Sequence, residues 1–273
     1  KGEKQEMQLI EKETWEDESI KKCEVLFRTD IPGFGYKTYM IQVGESIPSD
    51  PIEIDLSFYN YRNDFYSIKI LGDGTISSLQ EKKSGVELIN SEKFYGNEIR
   101  GQLNNGDLIS NRSSNSSIRL LKGNLADILF SQGQIGPIMS HLKIYLYHDL
   151  PIIDFNLSLD FGNEGLSLGN FWDDTTKLNL YWPISTNQYI SYDIPFGTRM
   201  GKFGRPLFCI DWIDIGNEKA GFSFINRGTT KHRIEDGVLM NCLAWGGNNF
   251  SNRNPGLWEN VERYDIRLYG KHT

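Results

Sequence analysis

Alanine is nearly missing from this chain: Ala126, Ala220 and Ala244 are the only three in 273 residues. The strongest helix former is therefore unavailable, while 27 glycines, 12% aromatics and many β-branched side chains favour strands. Histidine is scarce, with His141, His148, His232 and His272 only, so imidazole chemistry has few places to act. Three cysteines, Cys23, Cys209 and Cys242, are odd in number and far apart. That argues against a secreted disulfide framework and for free thiols in a reducing, cytoplasmic setting. No apolar run approaches the ~18 residues of a membrane span, so no membrane partner is expected. Basic residues are outnumbered, giving a net charge of −7. An acidic surface repels phosphate backbones, which excludes nucleic acid as an expected partner. The first residues, KGEKQEMQLIEKETWEDES, are charged from the start and show neither a signal-peptide pattern nor an initiator Met. They read as the beginning of a piece of a longer chain.

What is present alternates. Leu142, Ile144 and Leu146 alternate with Lys143 and Tyr145, and Ile153, Phe155, Leu157, Leu159 and Phe161 alternate with Asp154, Asn156, Ser158 and Asp160. Period-2 alternation gives one buried and one wet face, the pattern of an antiparallel sheet. The same reading predicts strands over 24–28, 36–43, 118–121, 177–182, 220–226 and 238–245. Residues 63–88 predict a hairpin, with strands over 65–70 and 75–79 joined at Asp73-Gly74, because Gly accepts the positive φ of a tight turn. Residues 90–117 are mostly polar and read as a long excursion or loop, as do 246–255 and Gly162–Gly165. Turn signals every ten residues or so predict an all-β fold, a large antiparallel supersandwich. The boundaries expected are a small β-unit at 1–50, a proline-marked linker at 47–51, and a large sandwich over 51–273 that stops short at its C-terminal end.

Motifs for nucleotide or acyl chemistry are lacking. Gly33-Phe34-Gly35 has no third glycine and no following helix, so it reads as a turn; no Gly-x-Ser-x-Gly elbow and no cysteine pair with metal spacing occurs. Neither catalytic residues nor a metal site is expected in this chain. His141 and His148 could serve a sugar epimerase if they faced each other with a carboxylate, though a strand start and a polar turn explain them as well. Among acids, Asp173-Asp174 after Trp172 would point to opposite faces of a strand, and Asp211 and Asp214 flank Trp212. Residues 192–199, YDIPFGTR, are more distinctive. Pro195 holds the preceding backbone extended, Phe196-Gly197 allows a sharp bend, and an acid and an arginine flank it. A rigid, aromatic, charged loop is a suitable sugar-lining wall. Tyr192, Asp193, Phe196 and Arg199 are the candidate substrate-binding residues.

Several segments, in order, resemble the C-terminal β-region of family 38 α-mannosidases. These are Pro32 with Gly35-Tyr36 and Tyr39; Asn63-Asp64-Phe65-Tyr66 with Asp73-Gly74-Thr75-Ile76-Ser77-Ser78-Leu79 and the turn at 82–85; Gly136-Pro137; Ile153-Asp154-Phe155; 192–197; and Asp211-Trp212 followed by 220–226. Gln80-Glu81 departs from the family's aromatic-Asp pair, and residues 90–117 have no familiar counterpart. The resemblance implies a galactose-mutarotase-like supersandwich and a parent enzyme that is a retaining, Zn²⁺-dependent glycosidase. It implies no cofactor in this chain, since the nucleophile and zinc ligands of that family lie in an N-terminal catalytic domain. The implied partners are that catalytic domain, on the same polypeptide, and a mannose-containing glycan. Two alternatives stay open: a stand-alone carbohydrate-binding module, and a mutarotase or lyase on the same sandwich.

Overall fold

Pairing of the alternating segments dominates the computed structural model, which describes residues 4–41, 52–103, 105–113, 116–162, 168, 177–185, 188–244 and 261–270. Asp173, Asp174, Trp172, His272, the linker at 47–51 and the loops at 163–165 and 246–255 lie outside the described residues. Among the described residues there is no α-helix, only a 3-10 turn at Asn111–Ser113. The strands run β1 (Met7–Thr14), β2 (Ile20–Phe27), β3 (Ile52–Leu56), β4 (Phe58–Arg62), β5 (Tyr66–Leu71), β6 (Ile76–Glu81) and β7 (Glu98–Gln102). There follow β8 (Leu108–Ser110), β9 (Ile118–Lys122), β10 (Ala126–Ile135), β11 (Ile138–Tyr147), β12 (Ile152–Asp160), β13 (Leu178–Pro183) and β14 (Tyr189–Ile194). The last are β15 (Gly197–Met200), β16 (Pro206–Phe208), β17 (Trp212–Gly216), β18 (Gly221–Asn226), β19 (Lys231–Glu235), β20 (Val238–Ala244) and β21 (Val261–Gly270).

The main sheet has ten strands in the order β15-β14-β17-β18-β21-β12-β11-β10-β9-β3, every neighbour antiparallel. A six-stranded sheet, β16-β19-β20-β13-β7-β8, and a three-stranded one, β4-β5-β6, share a single hydrophobic core with it. Trp182 of β13 marks the join. It is fully buried and meets Phe155 of β12 edge-on with ring centroids 5.5 Å apart, and Phe222 and Phe224 of β18 at 6.3 and 6.5 Å. Aromatics in such edge and tilted contacts bring large buried areas from both sheets to one point. The fold class is therefore the all-β antiparallel sandwich expected.

The Asp73-Gly74 turn forms as read. Gly74 has φ 77°, and the Asp73 carboxylate accepts from the Thr75 N–H at 3.0 Å and its hydroxyl at 2.6 Å. The turn tip reaches the main sheet: a Cβ on Gly74 would lie 2.6 Å from Leu142 Cδ2. Among the described residues the hairpin β1-β2 pairs with no other strand. It lies on the outer face of the main sheet, where Ile10 and Leu26 pack with Leu121, Ala126, Ile128 and Tyr145. Buried Gln8 fastens it, its amide oxygen accepting from the N–H of Leu125 and of Ala126 at 3.0 Å each and its Nε2 donating to Ala126 O at 2.9 Å.

Two expectations differ from the structure. Residues 36–41 of the strand expected at 36–43 are irregular, with Tyr36, Met40 and Ile41 exposed; they have no neighbouring strand to pair with among the described residues. The polar stretch at 90–117 holds β7 and β8, and β7 lies inside the six-stranded sheet beside β13. Two of its asparagines, Asn97 and Asn111, are buried and satisfied internally. Asn111 Oδ1 accepts from Ile99 N–H at 3.0 Å, and Asn97 Nδ2 donates to Gly74 O at 3.0 Å. Composition misled because polarity was spent on buried hydrogen bonds, while Ile99 and Ile109 supply the core contacts.

Candidate functional site: the hairpin edge at 189–212

The YDIPFGTR segment is a hairpin, not an open loop. β14 and β15 pair with Ile194 opposite Gly197, which leaves Pro195-Phe196 as a two-residue turn. Within the bend expected at Phe196-Gly197, the positive φ falls on Phe196 (66°). Proline at the first corner and a left-handed second corner suit a type II turn, whose second corner is usually glycine. Here a phenylalanine occupies it, 108% exposed, so the ring covers none of the protein. Strain at a non-glycine corner persists where the side chain is wanted.

The four candidate residues separate by face. Tyr192 turns inward with Ile190 and joins the core. Asp193 faces the other way and is fully engaged: its Oδ1 accepts from Ile210, Asp211 and Trp212 N–H at 3.0, 3.1 and 3.1 Å, and its Oδ2 from Asp211 N–H at 2.9 Å. It clamps the entry to β17 against β14. Arg199 lies opposite Tyr192 in the register and is exposed. Phe196 and Arg199 are thus presented outward by a scaffold that Tyr192 and Asp193 hold in place. Around them stand Met200, Phe203, Phe208 and Ile210, all exposed. This region also carries β15 and β16, the end strands of the ten- and six-stranded sheets.

Among the described residues, the other chemistry-bearing side chains named from the sequence lie apart. His141 is exposed on the outer face of β11, whereas His148 follows the strand's end, roughly 24 Å further along at about 3.4 Å per residue. His148 is occupied by Asn124 O at 3.2 Å and Asp127 Oδ1 at 3.4 Å, and it stacks on Tyr61. Asp214 accepts from the Ser223 hydroxyl at 2.8 Å on β17, while Asp211 precedes that strand, so the two do not form a facing pair. Cys209 and His232 are both buried near Asn226, Thr229 and Asn241. Burial pushes the Cys209 thiol up to about 12 and holds His232 down to about 4, so at neutral pH this cluster contains an inert thiol and a neutral imidazole. Among the described residues no group of three or more His, Cys, Asp or Glu side chains is placed to hold a metal ion.

Sequence reasoning read 192–199 as a rigid loop with a bend and missed both the hairpin and its exposed apolar neighbours. Met200 lies on β15, Phe208 on β16, and Phe203 and Ile210 between strands, so no single strand pattern marks them as a group.

No family model and no curated protein matches the chain. Solved structures of similar fold include an α-mannosidase from Enterococcus faecalis V583, with TM-score 0.57 and 10% identity, covering 78% of this chain and 29% of that one. A protein in the Glycosyl Hydrolase Family 38 from Enterococcus faecalis matches with TM-score 0.55 and 11% identity, covering 87% of this chain and 32% of that one. A galactose mutarotase related enzyme from Lactobacillus acidophilus matches with TM-score 0.46 and 8% identity, over 79% of this chain and 98% of that one. The chain spans about a third of the length of the two Enterococcus proteins. At these identities the two Enterococcus matches show a shared fold alone, the antiparallel β-sandwich described above.

Proposed function

We propose that this chain is the C-terminal β-region of an α-mannosidase-like glycoside hydrolase. It is non-catalytic alone, packs on the catalytic domain of the same polypeptide, and helps to hold a mannose-containing glycan. One observation carries the reading: the fold match takes in most of this chain but only a minor part of each Enterococcus protein. The ordered motifs at 32–39, 63–85 and 192–226 point the same way.

The hairpin edge supports the packing role. Five large apolar side chains, Phe196, Met200, Phe203, Phe208 and Ile210, are exposed within fifteen residues. Such a patch, rimmed by Arg199, Lys202 and Arg205, suits an interface better than free solvent. Phe196 offers an aromatic face to a pyranose and Arg199 a donor fork to its hydroxyls. Zn²⁺ belongs, on this reading, to the catalytic domain.

The test is hydrolysis of an aryl α-mannoside by this chain with added Zn²⁺. The expected result is no turnover above buffer; robust turnover overturns the reading. In the full enzyme, Arg199→Ala is expected to raise KM with little change in fold. An unchanged KM removes the hairpin from the glycan site.

A further inference from the structure

The outer face of the main sheet carries a cleft that the hairpin edge does not explain. Its volume is about 470 Å³, within the range of about 300–1,000 Å³ usual for small-ligand sites. Two cross-strand rows form its floor. The first is Arg119, Phe130, Lys143 and Asn156, in direct register across β9 to β12, and the second is Gln132, His141 and Ser158, in direct register across β10 to β12. Along the sheet, the cleft at β10 is six strand spacings from β14, roughly 29 Å at about 4.8 Å each. It is a separate place from Phe196 and Arg199.

We propose that this cleft binds a short neutral oligosaccharide. Charge argues against an anion, because Lys143 is already paired with Glu11 at 3.3 Å and Glu24 at 3.0 Å, and Arg119 lies over the Phe130 ring at 4.2 Å. An apolar ligand is disfavoured by a floor of amides, hydroxyls and an imidazole. A peptide adding as a strand has nowhere to pair, since β9, β10, β11 and β12 each have a strand on both sides. A polyhydroxylated ligand fits the remainder: near-neutral charge, and many donors and acceptors at fixed cross-strand spacing. The wall is pre-formed. The hairpin β1-β2 is anchored by Gln8 and by Ile10, and it sets Glu11 at the rim. Pre-formed polar groups lower the ordering cost of binding.

This inference does not rest on the mannosidase-like reading; it concerns this sheet face alone. The experiment is titration of this chain with manno-, gluco- and galactotriose, followed by amide NMR and calorimetry. At least one triose is expected to bind, shifting amides at 117–119, 130–132, 141–143 and 156–158. Gln132→Ala with Ser158→Ala, both surface changes, is expected to weaken it about tenfold, the equivalent of one or two hydrogen bonds, while Glu218→Ala, in the exposed turn between β17 and β18, leaves it unchanged. Thermal unfolding of the double variant checks that its fold is kept. The proposal is overturned if no triose binds, if the shifts fall only at 192–199, if Arg199→Ala abolishes binding, or if a peptide library shifts these amides and the trioses do not.

Discussion

Replacing Phe196 by glycine should make this protein more stable and less able to bind. The residue sits at φ 66°, a conformation that costs an ordinary L-residue roughly 1–2 kcal/mol relative to glycine. Glycine returns about 0.5–1 kcal/mol of that through its freer unfolded chain. Burial does not enter the balance, because the Phe196 ring is fully exposed. The register of Ile194 with Gly197 fixes the turn length, so the backbone keeps its path. The expected net gain is roughly 0.5–1 kcal/mol, a small rise in the midpoint of urea unfolding with an unchanged slope. The same variant in the full enzyme should raise KM for an α-mannoside, because the aromatic face is gone. A lower urea midpoint refutes the strain argument. A higher midpoint with unchanged KM refutes the functional one. Phe196→Ala separates the two, since it removes the ring and keeps the strain.

Asp193→Ala should destabilise by about 2–3 kcal/mol, because three backbone N–H groups lose a charged acceptor, with Asp193→Asn losing less; urea unfolding of both variants checks the order, and equal stability to the parent sinks the clamp. Gly74→Ala should lose at least about 1–2 kcal/mol from positive φ alone, plus the cost of moving Leu142, read as a lower melting temperature. His232 gives a pH prediction. Burial holds its folded value near 4 against 6.5 unfolded, so above pH 6.5 both states are neutral and nothing is lost. As pH falls from 6.5 to 4 the unfolded chain binds one more proton, and stability drops by about 3 kcal/mol in total. His232→Gln should remove that slope in a comparison of unfolding at pH 7 and pH 4.5, and parallel curves for parent and variant reject the assignment.

The sheet architecture was legible where one face is apolar and one wet. Residues 142–146 and 153–161 show this alternation, and they became β11 and β12 at the centre of the main sheet. The Asp73-Gly74 turn was legible because its chemistry is local. Strands β7 and β8 were not, because Asn97 and Asn111 look like loop residues until their long-range partners are known. The same distinction applies to function. Residues 192–199 are contiguous, so the segment and its bend at Phe196-Gly197 stood out in one dimension, although the pairing that makes it a hairpin did not. The cleft was invisible because Arg119, Gln132, His141 and Ser158 come from four strands, and only the register puts them side by side.

The two surfaces should respond differently to substitution, for a reason rooted in the sheet. Stability comes from the inner face, where Ile144, Phe155, Leu157 and Trp182 are buried between sheets. The outer-face residues of β10, β11 and β12 contribute little to that core, so Gln132, His141 and Ser158 are free to be polar without weakening it. The hairpin edge has no such separation. Tyr192 is in the core while its cross-strand neighbour Arg199 faces solvent, and Asp193 holds the backbone that carries Ile210. Changes in the cleft should therefore alter binding with stability intact, whereas Tyr192 and Asp193 at the hairpin edge cannot be changed without loss of stability. Urea unfolding and triose titration of the same variants check this division, and a cleft variant that loses stability refutes it.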